Sequence, residues 1–328
     1  MDNSNPEFAA AWRVNFAPVM PDDGAWLRVY FQKQSGALVE GFWRRNENDW
    51  SFKEVLAAGI MQDEGGVLAA TMWDNLEVHL FYSDRSNNLR ELCLYGAYGD
   101  RPTHGPLNNF NIHTNLSNSV SVISFHRDNA PNMRLYYRDD SEVLQEYVWG
   151  AYGHQKWEKG WTFGNTNSGR SSSEVKFINL APWHRNSPSI RGYYEDADGY
   201  FVELRWEEGG WGAGSLRQKV PDKDPEYPEE AATFSVSATG LDREPTVNFF
   251  WIANDKVYVI SKLGKDGVWG SESEVTGESE RNPVRLAAAG SPMGRDDTHL
   301  FTSGEGNKFI HRHRVNWSWQ KEIVDPGN

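Results

Sequence analysis

The chain has 328 residues, enough for a large buried core, and its formal net charge at pH 7 is −13. An acidic chain of this kind repels phosphate backbones, so the composition argues against nucleic-acid binding. The single cysteine, Cys93, excludes an internal disulfide and a thiolate metal cluster, and no apolar run approaches the roughly 18 residues that a membrane span needs.

An aromatic strand motif occurs six times along the chain. The first copy is WLRVYFQ at 26–32, and successive copies follow at intervals of 51 to 57 residues. Each copy is preceded by a short segment of small and apolar residues and followed by a polar turn, a second alternating strand and a Trp-containing segment. The later copies lie at 78–83, 133–138, 190–195, 247–251 and 298–302.

Four short strands in every ~50 residues, without helical periodicity, predict an all-β fold. Six such units indicate a six-bladed β-propeller of four-stranded blades, folded as a single domain over residues 1–328. We expect the small residues on the innermost strands, which crowd around a central channel. The predicted blades are approximately 8–62, 63–115, 116–170, 171–228, 229–280 and 281–323.

A charged pair recurs at a fixed spacing of twelve residues within four of the units. A tight hairpin folds this spacing back on itself, so the two side chains are expected to lie close together on neighbouring strands. A cross-strand salt bridge with a purely structural role is one interpretation. The pairs are Arg28 with Glu40, His79 with Glu91, Arg134 with Glu146, and Arg191 with Glu203.

Aromatic residues accompany these pairs and favour a second interpretation. Trp43, Trp149 and Trp206 each lie three residues after the Glu of their own unit's charged pair. The whole chain contains 15 Trp, 13 Tyr and 16 Phe. A guanidinium donates to sugar hydroxyls, a carboxylate accepts from them, and an indole covers the apolar face of the ring. The pattern therefore indicates carbohydrate binding.

The segments RVYFQ at 28–32 with LVE at 38–40, and RLYY at 134–137 with LQEYVW at 144–149, resemble the fungal fucose-specific lectins of the Aleuria type. The resemblance covers nearly the whole chain and implies a six-bladed propeller with sugar sites between adjacent blades. It also implies that one blade supplies the Arg and Glu that hold fucose, while the next blade supplies aromatic residues that pack on the sugar.

Carried over residue by residue, the resemblance predicts sites of unequal completeness. Arg134 and Glu146 would meet Trp206 and Trp211 in one complete set. The units with Asn248 and Val259, and with His299 and His311, have lost the acidic acceptor. The incomplete sets are Arg28 and Glu40 with Tyr95 or Tyr98, Arg191 and Glu203 with Lys262 and a displaced Trp269, and Glu91 with Trp149 but paired to His79.

The other polar clusters have simpler explanations. The 196–199 segment, DADG, falls where every other unit has its hairpin turn, so turn chemistry rather than calcium binding explains it. His311 and His313 are alternate strand residues, and no metal site or cofactor is expected from them. Cys93 is expected to be a small buried residue.

We consider two functions from different classes. The first is a lectin that binds L-fucose or fucosylated glycans, without catalysis. The alternative is a lectin-fold enzyme of fungal secondary metabolism, a cofactor-independent hetero-Diels–Alderase that joins a tropolone quinone methide to a sesquiterpene such as humulene, which the resemblance to lectin-like proteins of those pathways suggests. Its partners would be small apolar terpenoid and tropolone molecules, held in an aromatic-walled pocket.

The sequence leaves several properties open. The N-terminal segment MDNSNPEF lacks the basic start and apolar stretch of a signal peptide, so either a cytoplasmic or a secreted location is compatible with it. A homodimer is also compatible with the sequence. Enzyme activity is left undecided between the two functions.

Overall fold

The computed structural model describes most of the chain as β-strands connected by short turns. The described residues are 15–33, 35–47, 49–61, 66–73, 77–96, 101–114, 120–127, 130–150, 155–163, 174–180, 188–196, 198–207, 209–220, 232–242, 244–254, 256–275, 285–294, 297–303, 308–315 and 317–326. Within these ranges the only helical element is one 3₁₀ turn, Pro106–Asn109, and no helix in them is long and apolar enough to cross a membrane.

Twenty-four strands form six antiparallel sheets of four strands each, counted over the described residues. The first three blades are as follows. Blade 1 contains β1 (Phe16–Val19), β2 (Trp26–Gln32), β3 (Leu38–Arg44) and β4 (Asp49–Leu56); blade 2 contains β5 (Leu68–Trp73), β6 (Glu77–Ser83), β7 (Leu89–Tyr95) and β8 (Arg101–His104); blade 3 contains β9 (Ser121–Arg127), β10 (Ala130–Arg138), β11 (Leu144–Trp149) and β12 (Trp157–Thr162).

The other three blades repeat the same order, with each strand paired to the next along the chain. Blade 4 contains β13 (Val175–Asn179), β14 (Ile190–Glu195), β15 (Tyr200–Glu207) and β16 (Gly210–Lys219); blade 5 contains β17 (Phe234–Thr239), β18 (Thr246–Ala253), β19 (Lys256–Leu263) and β20 (Ser273–Glu274); blade 6 contains β21 (Leu286–Gly290), β22 (Thr298–Ser303), β23 (Phe309–Val315) and β24 (Ser318–Val324). The sequence prediction of a six-bladed propeller is confirmed.

The first strands of the six blades close the ring. β1 contacts β5, β5 contacts β9, and the contacts continue through β13, β17 and β21 back to β1. Small residues allow this approach: a Cβ built on Gly290 of β21 would lie 2.5 Å from the backbone oxygen of Ala238 in β17. The first strands surround a central channel with a cavity volume of about 270 Å³.

Each interface between neighbouring blades has its own hydrophobic cluster. Between blades 4 and 5, for example, the rings of Tyr193 and Phe201 pack against those of Phe234 and Phe249. Burial of apolar surface stabilises such contacts by roughly 25 cal/mol per Å². The core is therefore a series of six inter-blade layers, and a polar side chain in the outer part of a layer meets residues of the next blade.

The turn between the second and third strands uses the same chemistry in three blades. In blade 4, the Asp196 carboxylate accepts hydrogen bonds from the backbone N–H groups of Asp198 and Tyr200, at 3.0 and 2.9 Å, and Gly199 has a φ of +78°. Asp84 and Asp139 accept the corresponding backbone bonds in blades 2 and 3. Asp196, Asp198 and Gly199 thus belong to a hairpin turn, as the sequence indicated.

Candidate functional site

The repeated charged pair lies on the hairpin formed by the second and third strands of a blade. In blade 3, Tyr136 is directly opposite Glu146, and Arg134 is two residues before Tyr136 on the same face. Because side chains alternate along a strand, Arg134 and Glu146 become diagonal neighbours. The register is identical in blades 1 and 4, where Tyr30 is opposite Glu40 and Tyr193 is opposite Glu203.

The interface between blades 3 and 4 brings the predicted complete set together. Arg134 Nη1 lies 3.2 Å from Glu146 Oε1, and the Arg134 guanidinium carbon lies 6.0 Å from the ring centre of Trp206 in blade 4. Trp206 and Trp211 are directly opposite each other on β15 and β16, with ring centres 5.4 Å apart. A donor fork, an acceptor and two indoles therefore meet in one place.

Exposure to solvent distinguishes Arg134 from the other arginines of the repeat. Its side chain is 15% exposed, whereas the side chains of Arg28 and Arg191 are each 1% exposed. In addition, the buried Nε of Arg134 has no hydrogen-bond partner among the described residues. The blade 3–blade 4 interface thus retains donor capacity that the protein itself does not use.

Gly160, on the outer strand β12, leaves room for the second carboxylate oxygen of Glu146, and sequence reasoning missed this residue. A Cβ built on Gly160 would lie 2.4 Å from Glu146 Oε2, so only glycine allows this close approach. The next residue, Trp161, donates its backbone N–H to the same Oε2 at 3.0 Å. The same pattern occurs in blade 4, where Gly214 lies against Glu203 and the Ser215 N–H donates to it at 3.2 Å.

The interface between blades 4 and 5 is closed by a lysine. Lys262 of blade 5 occupies the register position that Trp206 has in blade 4, and its Nζ lies 3.0 and 3.2 Å from the two oxygens of Glu203. Arg191 Nε also lies 3.0 Å from Glu203, and both cations are 1% exposed. Trp269 still reaches Lys262, with Nζ 5.0 Å from the ring centre, because the longer turn absorbs its displacement in sequence.

The interface between blades 2 and 3 is closed by hydrogen bonds. The Glu91 carboxylate is fully buried and contacts His79 Nδ1 at 2.8 Å. Its other oxygen accepts from the Trp157 indole N–H at 3.0 Å and the Leu107 backbone N–H at 2.9 Å. Trp149 packs on Trp157 with ring centres 5.8 Å apart. These internal donors occupy the carboxylate that a ligand hydroxyl would need.

His79 lies between two carboxylates. Its Nε2 lies 3.0 Å from Glu77, its Nδ1 faces Glu91, and Cys93 Sγ is 3.5 Å from Nδ1. Burial alone would lower the pKa of His79, but the hydrogen bonds to Cys93, Glu77 and Glu91 outweigh burial and raise the pKa to about 11. His79 is therefore an imidazolium at neutral pH and serves as the cation of this blade.

The interface between blades 1 and 2 holds Arg28 within the protein. Its guanidinium lies 4.9 Å from the ring centre of Trp26 and donates through Nη2 to the Gly96 carbonyl at 3.3 Å. Glu40 is 3.8 Å from Arg28 Nη1 and accepts from the Tyr30 hydroxyl at 2.7 Å. Tyr95 is 50% exposed at the end of β7, and Tyr98 lies outside the described residues.

The last two interfaces have replaced the charged pair. In blade 5, Asn248 accepts from the Ser261 hydroxyl at 2.7 Å and donates to Thr298 of blade 6 at 3.4 Å. In blade 6, His299 Nδ1 lies 2.8 Å from His311 Nε2, and the ring of Trp43 from blade 1 packs on His299 at 5.2 Å. These contacts agree with the expectation that both units lost the acidic acceptor at the repeat position.

Comparison with known proteins identifies the family. The family model described as fungal fucose-specific lectin matches residues 12–276. The chain belongs to this family.

Relatives and solved structures agree with the assignment. A fucose-specific lectin of Arthrobotrys oligospora is 23% identical over 85% of this chain and 73% of its own length, and one of Aspergillus oryzae is 24% identical over 56% of each. The crystal structure of AofleA from Arthrobotrys oligospora has a TM-score of 0.82 and 24% identity, covering 97% of this chain and 88% of that one. Aleuria aurantia lectin, a six-bladed β-propeller, has a TM-score of 0.76 and 19% identity and covers 97% of each chain.

The first prediction for this lectin-family protein concerns the charge of His79. Because its folded-state pKa is raised above the unfolded value of about 6.5, the stabilisation from His79 is complete below that pH and is lost as pH rises towards about 11. The free energy of unfolding of the wild type should therefore fall more steeply between pH 7 and pH 10 than that of His79→Gln. Urea denaturation at several pH values measures both.

His113→Gln is the matched control, since the His113 side chain is exposed. Its unfolding free energy should keep the pH dependence of the wild type over the same range. Equal slopes for the wild type and His79→Gln would contradict the imidazolium assignment. NMR of the labelled imidazole should also show a protonated His79 at pH 9.

Proposed function

We propose that this protein binds L-fucose, free or at the end of a glycan, in a single site between blades 3 and 4. The observation that carries the proposal is the set of Arg134, Glu146, Trp206 and Trp211. Within the described residues, it is the one repeat in which an arginine–glutamate pair meets two indoles of the next blade and no further protein cation.

Each side chain of this set can perform one part of sugar recognition. Arg134 is held by Glu146 through Nη1, so its other N–H groups remain available to donate to neighbouring hydroxyls of the sugar. Glu146 is already oriented by the backbone N–H of Trp161 and can accept a hydroxyl hydrogen. Trp206 offers an indole face for the apolar side of the pyranose, and its ring lies against the guanidinium.

The surrounding residues support a rigid site. Trp211 packs edge-on against Tyr136, Phe163 and Phe177, with ring centres 6.1, 5.1 and 5.8 Å away, so its position is set by the blade 3–blade 4 core. Burial raises the pKa of the Tyr136 hydroxyl well above its usual range, so this neighbour of Glu146 stays uncharged. A preorganised site loses less conformational entropy when ligand binds.

Substitution of Arg134 tests the proposal directly. In calorimetric titration with methyl α-L-fucoside, the wild type should bind one equivalent, and Arg134→Ala should weaken binding about tenfold or more because charge-assisted hydrogen bonds are lost. Arg217→Ala is the control, since Arg217 is 57% exposed on the outer strand of blade 4. The proposal fails if the wild type shows no saturable heat, or if both variants bind as the wild type does.

A gain-of-function variant tests why the neighbouring interface is closed. Lys262→Trp removes the ammonium from Glu203 and supplies the indole that Arg191 and Glu203 lack, with Trp269 already in place. The number of fucoside equivalents bound should rise from one to two. Lys256→Trp, on the same strand but 41% exposed, should leave it at one. An unchanged stoichiometry in a folded Lys262→Trp protein would show that the lysine does not close the site.

The second candidate function is the cofactor-independent hetero-Diels–Alderase. The observation that favours it is the closure of the pairs at Glu40, Glu91 and Glu203 by internal partners, which leaves a lectin with little multivalency. The central channel offers an alternative pocket, lined in part by Met72, Ile123 and Phe125. Small apolar terpenoid and tropolone molecules would be its ligands.

The two candidates differ in which pocket matters. If the protein is a pericyclase, it should accelerate adduct formation between a tropolone quinone methide and humulene, as followed by chromatography and mass spectrometry. Met72→Trp, which adds bulk at a partly buried residue of the channel wall, should abolish that acceleration, while Arg134→Ala and added fucoside should not. No acceleration over the reaction without protein would eliminate this candidate and leave the sugar site unaffected.

A further inference from the structure

Three potential metal ligands converge on the face of blade 6 that packs against blade 1. Asp297 precedes β22, His299 lies on β22, and His313 is directly opposite His299 on β23. Asp297 Oδ1 lies 3.2 Å from His299 Nε2 and 3.5 Å from His313 Nε2, and all three donor atoms are within 4.8 Å of one another. Sequence reasoning paired His311 with His313 and missed Asp297.

These separations suit a small divalent cation. Ligand atoms at ~2.05 Å from a tetrahedral zinc ion are about 3.4 Å apart, since the angle between two bonds is about 109°. The two measured distances to Asp297 Oδ1 lie on either side of this value. One carboxylate oxygen and two imidazole nitrogens are also the donor types that zinc and its neighbours in the first transition series prefer.

The residues behind His299 hold it in the form that a metal requires. His299 Nδ1 lies 2.8 Å from His311 Nε2, and His311 Nδ1 lies 3.4 Å from Glu322 Oε2, which also accepts from the Trp50 indole N–H. Metal-bound histidines commonly donate their second ring N–H to a carboxylate or another acceptor. Here the second N–H of His299 would reach a carboxylate through one further imidazole.

The tautomers of His299 and His311 determine which atom His299 presents to Asp297. When His311 donates to Glu322 and His299 donates to His311, the lone pair of His299 Nε2 faces Asp297 Oδ1. A metal ion between these two atoms replaces their repulsion with two bonds.

We propose that Asp297, His299 and His313 form a binding site for a divalent transition metal ion, best fitted to Zn²⁺, with one coordination position left for water or a ligand. The cation of Arg45 contacts the other oxygen, Oδ2, of Asp297, so Oδ1 remains directed at the imidazoles. The His313 side chain is 18% exposed and gives the ion a route from solvent.

This site is independent of the sugar site. It lies between blades 6 and 1, whereas the fucose proposal concerns blades 3 and 4, and its three ligands lie beyond residues 12–276 that match the lectin family. Trp43 of blade 1 packs edge-on against His299, His311 and His313, with ring centres 5.2, 5.8 and 5.5 Å away. An indole in this place shields the site from water and limits the ligands that can reach the metal.

Calorimetric titration of untagged, EDTA-dialysed protein with ZnCl₂ tests the proposal. One equivalent of Zn²⁺ should bind, whereas MgCl₂, which prefers oxygen ligands, should give no saturable heat. His313→Gln should weaken zinc binding about tenfold or more, and it is expected to fold because His313 is the most exposed of the three ligands. His104→Gln, which removes an exposed histidine of blade 2, should bind as the wild type does.

Spectroscopy provides a readout that surface binding cannot imitate. Co²⁺ added in place of Zn²⁺ should give the intense visible bands of a tetrahedral site, and NMR of the labelled imidazoles should place the His299 proton on Nδ1 in the zinc-bound protein. The proposal is overturned if the protein shows no saturable zinc binding. It is also overturned if His313→Gln and the wild type bind zinc equally, since the metal would then lie elsewhere.

Discussion

A carboxylate that lies inside the protein must be neutralised and hydrogen-bonded, and four blades of this propeller place one at the same point. Glu40, Glu91, Glu146 and Glu203 are each 5% exposed or less, at the interface with the following blade. Removing such a charge from water costs several kcal/mol unless a cation and N–H donors compensate it. How each blade meets this requirement determines whether its interface can accept a ligand.

The four solutions use different partners. Glu91 is compensated by the imidazolium of His79 and two N–H donors, and Glu203 by the two cations Arg191 and Lys262. Glu40 accepts a hydrogen bond from the Tyr30 hydroxyl, and the guanidinium of Arg28 packs against aromatic rings. At Glu146 the arginine alone supplies the cation, and an indole occupies the facing position, where blade 2 has Leu94 and blade 5 has Lys262. Among the three arginine–glutamate pairs, this residue of the next blade thus distinguishes the open interface from the two closed ones. The blade 2–blade 3 interface has Trp149 in this position and is closed by other partners of Glu91.

The same face of blade 6 carries imidazoles instead of a charged pair. His299 and His311 occupy the repeat positions and contact each other. One carboxylate lies at each end of this pair, Asp297 beside His299 and Glu322 beside His311. Burial lowers the pKa of His299 to about 3, so this layer contains neutral rings where blade 2 has a charged one. A common backbone geometry therefore supports opposite electrostatic states in two blades.

The repeat in the sequence was sufficient to predict the fold and the partners within each hairpin. The pairs Arg134–Glu146 and Arg191–Glu203 follow from local spacing, because a hairpin fixes which residues are opposite each other. Contacts between blades were not predictable in this way. Lys262 reaches Glu203 across 59 positions of sequence, and such contacts depend on the closed ring.

Three details of the sites show what reasoning from the repeat spacing lacks. Gly160 was not recognised because a glycine in an outer strand gives no signal until the carboxylate that it accommodates is located. Asp297 was missed because it precedes its strand and stands outside the twelve-residue spacing. Trp269 seemed displaced by its position in sequence, yet a longer turn brings it opposite Lys262. In each case the missing information was the position of a neighbouring segment of the same blade, which the twelve-residue spacing does not give.

A crystal structure of the protein with methyl α-L-fucoside would show all six interfaces at once. We expect fucoside only between blades 3 and 4, with sugar hydroxyls hydrogen-bonded to Arg134 and Glu146 and the ring against Trp206. The interfaces closed at Glu91 and Glu203 should remain without sugar. Fucoside bound at either of those interfaces, or absent from the blade 3–blade 4 interface at saturating concentration, would contradict this expectation.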